Sequence, residues 1–150
     1  MVIREGAQAA ADCAFCQIVA GRLESSQVHA DQDVIAFMDI RPATAGHLLV
    51  VPRTHAAGLT ELSAELGERM FAVGHRLALA LRQSGVPCEG VNLFLADGEV
   101  AGQEVFHVHL HVLPRSSGDG FGLRASFRSP GRAELDATAG RIRQAAASPR

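Results

Sequence analysis

The spacing of apolar positions changes period several times along this chain, and each change marks an element. Gln27-Val-His-Ala30 and Val34-Ile-Ala-Phe-Met38 are short runs rich in β-formers, split by polar Asp31-Gln32-Asp33, which predicts a β-hairpin. Pro42 and Gly46 bracket a loop, and the nearly all-apolar run His47-Leu-Leu-Val-Val51 predicts a central third strand. The period then becomes helical. Leu62, Leu66, Met70, Val73, Leu77 and Leu81 form one stripe of a long helix that starts at Ser63, runs to Gln83 and is stopped by Gly85 and Pro87. Glu65 and Glu68 near its start and Arg76 and Arg82 near its end suit the helix macrodipole. Gly67 and Gly74 within it each cost about 1 kcal/mol against Ala, which suggests close packing against a neighbour. Val91–Leu95 and Phe106–Leu113 predict two more strands. Asp12 is placed to cap a short helix through Ala20 with Gly21 as its stop, and amphipathic Ala133–Ala147 predicts a last helix. The expected architecture is α+β: a mainly antiparallel five-stranded sheet with one long and two shorter helices.

Composition narrows the chemistry. With 150 residues, 47% of them hydrophobic, the chain suits one domain over residues 1–150, with residues 1–12 flexible and 123–150 a C-terminal extension carrying a helix. All 14 basic residues are Arg, and there is no Lys, Tyr or Trp, so Schiff-base chemistry and Walker-type phosphate binding are excluded. The arginines are scattered and balanced by 16 acids, which speaks against a nucleic-acid surface. No stretch has the length of a membrane span or the core of a secretory signal, and three Cys make no disulfide framework. A cytoplasmic protein is expected.

The strongest local signal is His107-Val-His-Leu-His-Val-Leu113. On a strand, His107, His109 and His111 share one face, while Val108, Leu110 and Val112 share the other and are available for burial. Core packing alone does not ask for three imidazoles in a row. A metal site is one reading, but the outer pair on a flat strand lie roughly 13 Å apart, too far for one ion without a bend. Nucleophilic phosphoryl chemistry fits better, because a neutral imidazole attacks phosphorus and leaves a phosphoramidate that water can cleave.

With Ala101-Gly-Gln-Glu-Val-Phe106 before it, this run resembles the signature of the histidine triad (HIT) family of nucleotide hydrolases and transferases. Phe37-Met-Asp-Ile-Arg-Pro42 and Gly46-His-Leu-Leu-Val-Val-Pro-Arg-Thr-His55 fit as well, and the resemblance covers roughly residues 13 to 122. In particular the chain looks like bacterial purine-nucleotide phosphoramidases and diadenosine-polyphosphate hydrolases. The resemblance implies a HIT-like fold, with His109 as nucleophile forming a nucleotidyl-histidine at the α-phosphorus. His111 would contact phosphate and leaving group, His47 would support the triad, and Gln103 would hydrogen-bond the phosphate. Asp39 matches the acceptor of the ribose hydroxyls, and Phe15, Ile18, Phe37, Ile40 and Leu49 match the apolar purine slot. The implied partners are a purine nucleotide (AMP or an adenylated substrate) and a second copy of the chain in a homodimer, with no nucleic acid or membrane.

Two positions depart from the pattern: Ala96, where relatives commonly carry Asn, and Glu104, in the nucleotide site where many have Ser or Thr. A carboxylate there repels phosphate unless protonated or turned away. Cys13-x-x-Cys16 is half a zinc site, with a redox pair or buried thiols as alternatives. By resemblance to some HIT proteins and to galactose-1-phosphate uridylyltransferases, Cys13, Cys16, His55 and His107 would form a closed structural zinc site, leaving His109 metal-free. No catalytic metal or organic cofactor is expected. His29 and His75 are expected at the surface or as satisfied core residues, Cys88 as a small hydrophobe, and Gly118-Asp-Gly-Phe-Gly122 as a flexible lip over the substrate. The competing functions are a non-catalytic nucleotide-binding or protein-interaction module and a metal-dependent cupin-type barrel. The long helix and the shortage of strands speak against the barrel.

Overall fold

The computed structural model describes residues 11–148, so the expected flexible segment over residues 1–12 lies almost wholly outside the described residues. The elements are α1 (Ala14–Val19), β1 (Gln27–Ala30), β2 (Val34–Met38), β3 (Leu48–Pro52), α2 (Ala64–Leu81), β4 (Gly90–Leu95), β5 (Leu110–Arg115) and α3 (Arg132–Ala146). The strands form one sheet in the order β1-β2-β3-β5-β4 with every neighbour antiparallel, so β3 is central, as its apolar run predicts. The hairpin turn is held by the Asp31 carboxylate, which accepts the Asp33 and Val34 amides at 2.9 and 2.8 Å.

Alternation divides the middle strands between two apolar layers. Val34, Ala36, Leu48, Val50, Val108, Leu110 and Val112 pack with Met70, Val73, Ala78 and Leu81 of α2. Ile35, Phe37, Leu49 and Val51 pack on the opposite face with Phe15 and Ile18 of α1. The Ser63 hydroxyl caps α2 by accepting the Leu66 amide at 3.2 Å. Gly74 has the packing reason that its cost demands: a Cβ there would lie 2.7 Å from Leu110 Cδ2. Gly67 has none, since the nearest atom would be 3.6 Å away.

Four local expectations are corrected. β5 begins at Leu110 rather than Phe106, because the preceding backbone bends and the Val108 amide donates to the Ala56 carbonyl at 2.8 Å. The N-cap of α1 is Cys13 rather than Asp12, and its side chain makes no capping bond. Residues 118–122 are not a lip over the cavity described below. Asp119 instead grips Arg115 at 2.7 and 3.0 Å and accepts the Ser116 and Phe121 amides, closing a tight turn at the end of β5. α2 ends at Leu81, two residues short of Gln83. In the C-terminal extension, α3 forms where expected but has no buried residue.

Candidate functional site

The histidines lie on the face of the sheet covered by α1. His109 donates from Nδ1 to its neighbour's carbonyl, His107 O, at 2.7 Å. A carbonyl only accepts, so this bond fixes the tautomer and leaves a lone pair on Nε2. No hydrogen bond to the described residues occupies Nε2, and the ring lines a cavity. Burial pushes His109 below its ordinary value, against the His107 carbonyl and the Asp39 carboxylate, which pull it up.

A second chain of hydrogen bonds fixes the other two rings. The Ala43 amide donates to His47 Nδ1 at 3.1 Å, so His47 carries its proton on Nε2 and donates to His111 Nδ1 at 2.9 Å. His111 is thereby left with its proton on Nε2, as a neutral donor. Register places His111 between Leu49 of β3 and Phe94 of β4, and Phe94 stacks on it with centroids 4.2 Å apart. Burial, then neighbouring His109 and His47, push His111 down to about 4, with Asp39 opposing. Burial also lowers His47. All three rings are therefore neutral near pH 7.

His109 and His111 open onto a cavity of about 630 Å³, the size of a small-ligand site. Phe15, Ile18, Phe37 and Leu49 form one wall, and Asp39, Arg41, Gly102, Glu104, His109 and His111 supply the polar lining. Phe15 meets His109 edge-on at 5.2 Å and Phe37 at 5.4 Å. Ile40 also lines the cavity but is 92% exposed, so it stands at the mouth rather than in the slot. Glu104 is turned to Arg41, with Oε2 accepting from the guanidinium at 2.8 Å.

Gln103 is corrected. Its amide is spent on backbone: Nε2 donates to the Ala57 and Val105 carbonyls, and Oε1 accepts the Gly98 amide at 2.7 Å. It braces the loops beneath the histidines and does not line the cavity. Sequence reasoning missed Phe94 and Arg41. Phe94 was detectable only through β4–β5 register, whereas Arg41 lies inside the quoted Phe37–Pro42 motif. Ala96 is buried and stands outside the cavity lining.

Cys13, Cys16, His55 and His107 converge on a separate point, with their ligand atoms all within 4.8 Å of one another. His107 donates from Nε2 to the Pro52 carbonyl at 2.8 Å, which turns the Nδ1 lone pair toward the thiols. Nδ1 lies 3.5 Å from both sulfurs and 3.3 Å from His55 Nδ1, and Cys16 Sγ lies 3.3 Å from His55 Nδ1. Tetrahedral zinc with ordinary bond lengths sets N···N and N···S edges at about 3.3 and 3.6 Å. The donor set and spacing fit that ion. Burial and Cys13 push the Cys16 thiol up to about 11, and a bound cation reverses that sign. His29 and His75 stand elsewhere: His29 lies between Asp31 and Arg76 at 2.9 Å each, and His75 stacks on Phe71. Cys88 packs at the edge of the α2 core.

Known proteins share this arrangement of sequence and fold. The HIT domain family model matches residues 20–118. The "Protein hit" of Bacillus subtilis is 44% identical over 114 residues, 75% of this chain and 78% of that protein. A Zn-bound histidine triad family protein from Mycobacterium smegmatis is 41% identical, with a TM-score of 0.73 over 91% of this chain and 99% of that one. A histidine triad nucleotide-binding protein from Candida albicans is 26% identical, with a TM-score of 0.82 over 91% of this chain and 98% of that one. The chain belongs to the HIT domain family.

Proposed function

We propose that this protein is a nucleotide hydrolase or phosphoramidase that cleaves a purine nucleotidyl substrate at the α-phosphorus through a covalent nucleotidyl-His109. The observation that carries this is the His109 ring, held by the His107 carbonyl with Nε2 unprotonated beside an apolar slot. In the first step His109 Nε2 forms a bond to phosphorus as the bond to the leaving group breaks. His111 Nε2–H hydrogen-bonds the departing atom, which takes up its proton from solvent, and the His47 pair keeps that donor oriented. Water then attacks the phosphorus and yields its proton to solvent, and the P–N bond breaks to release the nucleoside monophosphate and regenerate the imidazole. The base lies against Phe15, Ile18, Phe37 and Leu49, with Asp39 accepting from the ribose hydroxyls.

Cys13, Cys16, His55 and His107 are the ligands of the proposed structural zinc, which ties α1 to the sheet and has no open position for substrate. The partners proposed are a purine nucleotide and a second copy of the chain. Steady-state hydrolysis of an adenylated amine tests the assignment: His109→Ala is expected to lose at least ~10³-fold in kcat. A variant as fast as the parent contradicts it. Ala96 favours a second reading, a nucleotide-binding module without turnover, for which calorimetry would find AMP affinity and no hydrolysis across a substrate panel.

A further inference from the structure

Among the described residues lining the cavity, the fixed charges are Glu24, Asp39 and Glu104 against the single guanidinium of Arg41. The cavity proposed to receive a nucleotide therefore carries a net negative charge. Its imidazoles are neutral donors and acceptors, with tautomers set by the His107 carbonyl and the Ala43 amide. The one cation is already engaged. Arg41, just after β2, meets Glu104, ahead of β5, at 2.8 Å across the mouth, and the two side chains are 80% and 76% exposed.

Such an exposed pair is weak, so Arg41 swings away readily. That motion does not change the sum of charges facing the substrate. One phosphate charge next to His109 is met by neutral donors. Each further phosphate enters a cavity whose carboxylates outnumber its one guanidinium, whereas an ammonium on the leaving side finds Glu104 in the same polar lining as His109 and His111.

We propose that Glu104, with Arg41 as its counter-charge, is a charge filter on the leaving group. It favours nucleotidyl substrates whose leaving group is cationic or neutral and disfavours polyphosphate chains. The proposal rests on the hydrolase assignment for what the cavity holds, and it separates the two substrate classes that assignment leaves together. Glu104 is thus a specificity residue, whereas His109 and His111 act on the bond that breaks.

The test is a charge series: Arg41→Gln, the parent pair, Glu104→Gln and Glu104→Arg, in order of decreasing negative charge in the cavity. Binding is measured calorimetrically in a His109→Ala background, so turnover is not needed. The probes are AMP, ATP and AMP joined through phosphorus to one amine of a short diamine. The ratio of diamine-adduct affinity to ATP affinity is expected to fall in that order, by about threefold to fivefold per unit charge at low salt. The trend should flatten at high salt, where exposed charges are screened. A change in shape alone would not produce a monotonic, salt-sensitive series. Equal ratios in all four proteins at low salt overturn the filter. Failure of the parent to turn over any adenylated amine overturns the hydrolase assignment instead, and leaves the binding series to decide the filter.

Discussion

The two faces of the sheet are built by different means. On one, the 18-residue α2 lays an apolar stripe over β2, β3 and β5 and carries its own cap at Ser63. On the other, α1 has 6 residues and no side-chain cap, too short to be stable as a helix by itself. In about two turns α1 presents Cys13 and Cys16 to His55 and His107, and Phe15 and Ile18 to the cavity. Buried hydrophobes pack both faces, and the second adds a cluster of metal-type ligands to a much shorter helix. The face that carries the candidate site is therefore the one with the weaker intrinsic scaffold.

Breaking the ligand cluster should separate the faces most sharply. Strong chelation, or Cys16→Ser, is expected to strip hydrogen-exchange protection from residues 14–19 and weaken AMP binding at least about tenfold, leaving residues 64–81 protected. Met70→Ala makes the converse cut. It removes a side chain only 2% exposed, so chemical denaturation should show a loss of about 2–5 kcal/mol, with AMP affinity in native buffer unchanged within twofold.

Acid should act on the histidine face. Folding takes His111 from 6.5 to about 4, so the unfolded chain binds more protons between those values. The stability tied to its neutral form is complete above 6.5 and lost as pH falls toward 4, which melting curves at stepped pH would follow. His111→Asn should flatten that slope. The smallest effects belong to the α2 glycines. Gly74→Ala gains helix propensity but crowds Leu110, a net loss of up to about 2 kcal/mol, while Gly67→Ala should gain up to about 1 kcal/mol in the same melts.

Periodicity made the α2 face legible. The hairpin strands match their predicted bounds, and β3 differs by one residue at each end, because short apolar runs between turn residues leave little freedom. The histidine run was legible as chemistry but not as geometry. Alternation correctly assigns Val108 and Leu110 to the core, yet nothing local announces the bend before Leu110 that sends His107 to Pro52 and the cysteines. Gln103 misled for a similar reason: the carbonyls and amide that consume its side chain come from loops that only the folded chain brings together. Phe94 faces His111 through strand register, which its own segment does not encode.

The central claim is that His109 Nε2 attacks phosphorus. Mixing the protein with an adenylated substrate whose leaving group departs quickly, quenching in alkali and mapping the modified peptide by mass spectrometry tests it most directly. The expected result is one adenylyl group on the peptide carrying residues 107–113, assigned by fragmentation to His109 and gone in His109→Ala. Turnover without any adduct, or an adduct on His47 or His111 that survives His109→Ala, would contradict the account.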